Sequence, residues 1–330
     1  MKKMKNILKR ICIFATAFIL IGGALFGVGI LAEKGNWKRL SHLTAKAHTY
    51  TETVDSGNEI NRISISYKAS ATVSVHFSAT ADKVSVSYGS LHTKSGKPVG
   101  TVTLSDTDGH LKIQETHNWK AVIRSISTFN FSTKIKVDVT LPAARTYDLS
   151  IHTNTGDVTF DGEDCRLTSL RILCDTADIS LQNDIVCLGN SMIETDTGDI
   201  KLNNIETERL DLETDTGDIK LGNVTAKDLF AEIDTGDCKI VGKITAESVS
   251  ISTDTGDVIT DDIGIVDAAV LRLEADTGDI KLNLAGKLND YNISIEIDTG
   301  KTNVSKQQMG GSRNLSVETD TGDVYVYFAE

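Results

Sequence analysis

The residues of this chain that could do chemistry are aspartates at a repeating interval. One set is Asp175, Asp196, Asp215, Asp234, Asp254, Asp276, Asp298 and Asp320. A second is Asp157, Asp178, Asp199, Asp218, Asp237, Asp257, Asp279 and Asp323, with Lys301 standing where one more would fall. Carboxylates brought together in this way suit calcium, a hard cation that takes about six to eight oxygen ligands. Asp196, Asp199, Asp215, Asp218, Asp234, Asp237, Asp254 and Asp257 form the candidate ladder. The alternative is that each Asp accepts N–H groups of its own turn and stays hydrated. The phrase lacks the Gly-Gly-x-Gly-x-Asp form of calcium-binding repeats. Stacked at roughly 4.8 Å, like charges repel by nearly 1 kcal/mol per neighbour even in water. Something must offset that.

The elements that position these residues follow from the repeat. Thr-Gly-Asp or a close variant occurs nine times, with Thr at 155, 176, 197, 216, 235, 255, 277, 299 and 321, so the copies are 19 to 22 residues apart. A period of this size marks a solenoid whose coils bury their apolar sides on one another. Around each turn the pattern alternates. Leu210, Leu212 and Thr214 lie in one phase, and Asp211, Glu213 and Asp215 in the other. Ile219 and Leu221 then alternate with Asp218 and Lys220. Period two means strand, and no interval holds a helix with its own apolar stripe. The expected fold is all-β: a right-handed parallel β-helix of about nine coils, the hand following the rule for parallel crossovers. A β-rich cap is expected before it, and one transmembrane helix before that.

The columns repeat coil by coil. The position after the Asp carries Val158, Ile179, Ile200, Ile219, Cys238, Val258, Ile280 and Val324. The position before Asp-Thr-Gly is mostly small, as in Thr195, Thr214 and Thr253, which suits a tight inner corner. The turn Gly suits φ > 0, and Ala177 breaks that rule once. Cys174 and Cys238 fall in inward columns and read as buried thiols. Cys165 and Cys187 are 22 residues apart where the local period is 21, so a disulfide between adjacent coils is open although its register is off by one.

Residues 1–10 are basic and short, as a cytoplasmic segment would be, and residues 11–31 carry no charge. At 1.5 Å per residue that run spans about 31 Å, one bilayer core. It reads as a signal anchor, single-pass, with the N-terminus inside and the bulk of the chain extracytoplasmic. Residues 32–58 read as a linker, 59–141 as a β-rich region covering the first coil, and 142–330 as the solenoid. Val324–Phe328 supplies aromatic bulk to close the last coil. Net charge is −12, and −17 without residues 1–34, so nucleic acid is not an expected partner. All seven His lie at or before His152, no aromatic platform is evident in the repeats, and acids recur equally in every coil. That is what a structural repeat requires and what a single catalytic centre does not. No catalytic residue and no cofactor other than calcium is implied.

Lys134 to Asp157, reading KIKVDVTLPAARTYDLSIHTNTGD, carries a resemblance. A strand ending in Leu-Pro, a short link, another strand and then Thr-Gly-Asp opening a ladder of similar turns resembles the bacterial "putative adhesin" family of unknown function. Its members include membrane-anchored proteins associated with cell-envelope stress operons. The resemblance covers roughly residues 59–330 and implies an extracytoplasmic β-solenoid with no catalytic motif to carry over. The expected function is a non-enzymatic, adhesin-like surface binder or scaffold, its partners being the membrane through residues 11–31 and an envelope polymer or membrane protein. An accessory role in an envelope stress response through a membrane partner is the alternative, and a carbohydrate-active β-helix enzyme is a second.

Overall fold

The computed structural model describes residues 46–54, 60–92, 100–117, 135–261 and 264–329. The basic segment, the apolar run 11–31 and much of the linker lie outside the described residues. No helix among the described residues is long and apolar enough to cross a membrane. The described chain is all-β and joins one sheet of 22 strands, with one three-residue 3-10 turn at Leu288–Asp290.

The N-terminal part contributes β1 (Lys46–Val54), β2 (Arg62–Ser78), β3 (Val84–His92), β4 (Gly100–Thr107), β5 (His110–His117) and β6 (Ile135–Pro142). The repeats follow as β7 (Thr146–Thr155), β8 (Val158–Gly162), β9 (Cys165–Thr176), β10 (Ile179–Cys187), β11 (Asn190–Thr197), β12 (Ile200–Thr216) and β13 (Ile219–Thr235). They continue as β14 (Cys238–Ile240), β15 (Lys243–Thr255), β16 (Val258–Thr260), β17 (Ile265–Thr277) and β18 (Ile280–Ala285). The last are β19 (Tyr291–Thr299), β20 (Gln307–Gln308), β21 (Arg313–Thr321) and β22 (Val324–Ala329).

Corresponding strands of successive repeats pair in parallel, so equivalent residues stack. Ile200 pairs with Ile219, Ile219 with Cys238, Cys238 with Val258, and Val258 with Ile280. The whole column after the Asp is 0% exposed. Burying each such Ile or Val stabilises by roughly 1.5–3 kcal/mol relative to leaving it in water. The small column is also buried, and its hydroxyls are satisfied. Thr195, Thr214, Thr253 and Thr319 donate to the carbonyls of Ala177, Gly198, Gly236 and Gly278, at 3.1 to 3.4 Å. Threonine therefore serves the inner corner twice, by its size and by holding a turn carbonyl of the neighbouring coil.

The turn explains the glycine. Gly217 has φ 153°, and a Cβ there would collide with the carbonyl oxygen of Gly198. Ala177 is not among the positive-φ residues, so its turn has an ordinary backbone. Among the described residues all four remaining cysteines are free and buried. Cys165 pairs with Ile185 and Cys187 with Leu167, an offset of two residues that leaves the thiols unbridged.

Both ends depart from sequence order. β2 stacks on β7 and β8 on one side and on β5 and β6 on the other: Ile63 pairs with Leu149 and Leu111, and Val75 with Phe160 and Val139. At the far end β21 lies between β17 and β19, so Thr321 pairs with both Thr277 and Thr299. The aromatic strand Val324–Phe328 is thus one coil in from the end, not the closing coil expected from its bulk. Phe328 packs on Tyr291 at 5.6 Å. Antiparallel strands finish both ends: β3 on β6, β1 on β3, β4 on β5 and β20 on β19. An open parallel edge is a template for unwanted pairing, and these strands cover it.

Candidate functional site

The structure separates the two aspartate sets. In the second, from Asp178 onward, one carboxylate oxygen of each Asp accepts the backbone N–H of its counterpart one coil on. Asp199 N–H donates to Asp178 Oδ1 at 2.9 Å, Asp218 to Asp199 at 3.1 Å, Asp237 to Asp218 at 2.9 Å and Asp257 to Asp237 at 2.8 Å. Asp279 then donates to Asp257 and Asp323 to Asp279, both at 2.7 Å. The acceptor is on the neighbouring coil, not in the residue's own turn as the sequence suggested. Each N–H so held would otherwise face the next layer unpaired. No bond joins Asp178 N–H to Asp157 among the described residues, and the ladder begins at the coil whose turn carries Ala177.

A lysine adds compensation at one rung. Lys201, Lys220 and Lys239 stack in one outward column beside these turns. Lys201 Nζ lies 2.8 Å from Asp199 Oδ2. This bond, and then the Asp218 N–H, lowers the Asp199 pKa. Asp199, Asp218, Asp237 and Asp257 therefore each have Oδ1 committed to the fold.

The first set is different. Asp175, Asp196, Asp215, Asp234, Asp254, Asp276, Asp298 and Asp320 are all exposed, and none has a hydrogen-bond or ion-pair partner among the described residues. Two residues before them runs a glutamate column. Glu194 pairs with Glu213 and Glu213 with Glu232. Farther on, Glu274 pairs with Glu318 and Glu318 with Glu296. Burial, and then repulsion from Glu194 and Glu232, raises the Glu213 pKa. Glu318 is raised chiefly by Glu274. Glu213 and Glu318 thus sit among like charges on this face. Among the described residues no three His, Cys, Asp or Glu side chains converge to hold a metal.

The outward phase of β13 also holds an aromatic ring that the sequence pattern passed over. Phe230 lines a surface cleft of about 360 Å³ with Met192, Glu194, Glu213 and Glu232. The Arg209 guanidinium lies 4.1 Å from its ring centroid, and its Nε also meets both oxygens of Asp211 at 2.8 and 2.9 Å. The signal was available: Phe230 sits between buried Leu229 and Ala231, in the outward phase of its strand.

A structure from Parabacteroides distasonis described as a "putative adhesin" shares 12% identity over 86% of this chain and 97% of its own, with a TM-score of 0.47. A Parabacteroides merdae protein of the same description shares 11% over 86% and 97%, with a TM-score of 0.46. One from Bacteroides fragilis shares 16% over 85% and 97%, with a TM-score of 0.43. No curated protein matches the chain. The family model Toastrack DUF4097 matches residues 60–327, and the chain belongs to that family.

Proposed function

We propose that this chain is a non-enzymatic, extracytoplasmic β-solenoid, anchored through residues 11–31, that presents its acidic face to a cell-envelope component with divalent cations bridging the two. One observation carries the reading. From Asp178 onward the second aspartate set is consumed by the stack, whereas the first stays exposed and unpartnered although it repeats just as regularly. Turn chemistry therefore accounts for one set and not for the other. Calcium suits the exposed set, because its loose geometry lets oxygens from two molecules complete one shell. The acids recur coil by coil, as a repeated binding face requires and a single catalytic centre does not.

The test is co-sedimentation of the chain from residue 35 onward with isolated cell-wall sacculi, with calcium and with chelator. Calcium-dependent pelleting that falls away in an Asp215→Asn, Asp234→Asn, Asp254→Asn variant is the expected result. Absence of pelleting in both conditions would overturn the reading and direct attention to a membrane partner of the anchor.

A further inference from the structure

A patch rich in hydrogen-bond donors lies at the N-terminal end of the stack. β4, β5 and β2 run side by side, with Thr107 opposite His110 and His110 opposite Arg62. Two residues along, Ser105 is opposite Lys112 and Lys112 opposite Ser64. Their neighbours Ile63, Ile65, Leu111 and Ile113 are buried, so alternation turns this array of six outward. Every member carries a hydrogen-bond donor: guanidinium, ammonium, imidazole or hydroxyl. Arg62, His110, Lys112, Ser105 and Thr107, with Asp108 of the β4–β5 turn, line a cleft of about 400 Å³.

Two carboxylates border the array. Asp148 meets Arg62 Nε at 2.9 Å and accepts the Ser169 hydroxyl at 2.5 Å. Asp108 sits in the turn with φ 53°. Neither bonds Lys112 or His110 among the described residues. His110 Nε2 meets Ser64 Oγ at 2.9 Å. Asp148 does not bond the imidazole, so Ser64, His110 and Asp148 do not form a linked nucleophile and base. The arrangement donates; it does not attack.

We infer that this cleft binds a phosphate-type oxyanion, with Arg62 and Lys112 supplying charge and Ser105 and Thr107 supplying further donors. An arginine fork and a lysine beside hydroxyls are the groups that recognise tetrahedral oxyanions. The reading is independent of the acidic face. His110 tunes the site. Burial first, and then Lys112 and Arg62, lowers its pKa, against Asp148 which raises it. A bound oxyanion reverses the cationic neighbours' effect, so binding takes up a proton at His110 and tightens as pH falls through the imidazole range.

The experiment is calorimetric titration of the full chain in neutral detergent and low salt, with inorganic phosphate and with short-chain phosphatidylglycerol as probes and short-chain phosphatidylcholine as control. Arg62→Gln and Lys112→Gln are each expected to weaken binding about tenfold, the order of one charge-assisted hydrogen bond. His110→Gln should flatten the pH dependence while binding persists at alkaline pH. Binding of both phosphate and phosphatidylglycerol identifies a headgroup-type ligand, and binding of phosphate alone identifies a soluble one. No saturable binding of either probe, or equal weakening by Lys220→Gln on the solenoid's lysine column, would overturn the proposal.

Discussion

The backbone N–H of Lys301 donates to Oδ1 of Asp323 at 2.8 Å, although Lys301 comes 22 residues earlier in the chain. This is the last rung of the aspartate ladder. Each Asp in the ladder serves the coil stacked beyond it. The Lys301 coil has none beyond it, so its side chain has no N–H to accept. The single break in the aspartate column is therefore the outer end of the stack.

Substitutions separate this hydrogen-bonding role from a charge role. Asp237→Asn keeps a carbonyl oxygen for the Asp257 N–H and removes one of several stacked charges. It is expected to leave the urea midpoint unchanged or slightly raised. Asp237→Ala strands a backbone donor and is expected to cost about 1 kcal/mol. Lys301→Ala, at the end of the ladder, should cost nothing measurable. Equal losses for Asn and Ala at position 237 would show that the carboxylate charge itself is what the fold needs.

The inserted C-terminal strand can be tested by cross-linking. Ser316 of β21 pairs with Arg272 of β17 and with Ser294 of β19, whereas Arg272 and Ser294 have β21 between them. The pair Arg272→Cys and Ser316→Cys should cross-link under mild oxidation. Arg272→Cys with Ser294→Cys should not, because an intervening strand puts the two Cα atoms beyond disulfide reach. The reverse result would restore the order of the sequence. Arg313 anchors the insertion, donating to the Ala285 carbonyl at 2.7 Å and to Tyr291 Oη at 3.0 Å and pairing with Asp267 at 3.0 Å.

The inward columns were legible because a strand's period of two tolerates no slip: moving Ile219 by one residue would put it in water. The order of the last two coils was not legible, since Thr299-Gly300 and Thr321-Gly322 read as the same turn. Lys301 was the one mark of the end, and its meaning depends on knowing which side of each coil the carboxylate serves. The donor array was hidden for another reason. Arg62 and His110 are 48 positions apart in a region without repeats, and only strand pairing sets them in one row. The exposed aspartates were visible as a column, but nothing in the sequence separated them from the committed set.

Acid should act on the two carboxylate populations in opposite directions. Asp199 is lowered by its bond to Lys201 and then by the Asp218 N–H, so its contribution is present above the ordinary carboxylate range and is lost as pH falls. Glu318 is raised, first by Glu274 and further by Glu296 and Asp320, and Glu213 is raised by burial and then by Glu194. A carboxyl raised in the fold favours folding while protonated, and that contribution is lost as pH rises through its folded pKa. Near neutrality Glu318→Gln and Glu213→Gln should therefore raise the urea midpoint, and at about pH 3, where ordinary carboxyls are protonated, the gain should vanish. Added salt should shrink it as well, because these groups face solvent and screening reaches them. Asp199→Asn should lower the midpoint at neutral pH and leave it unchanged in acid. A glutamine gain that persists at low pH would mean that side-chain packing, and not the stacked charge on the exposed face, is what the substitution relieves.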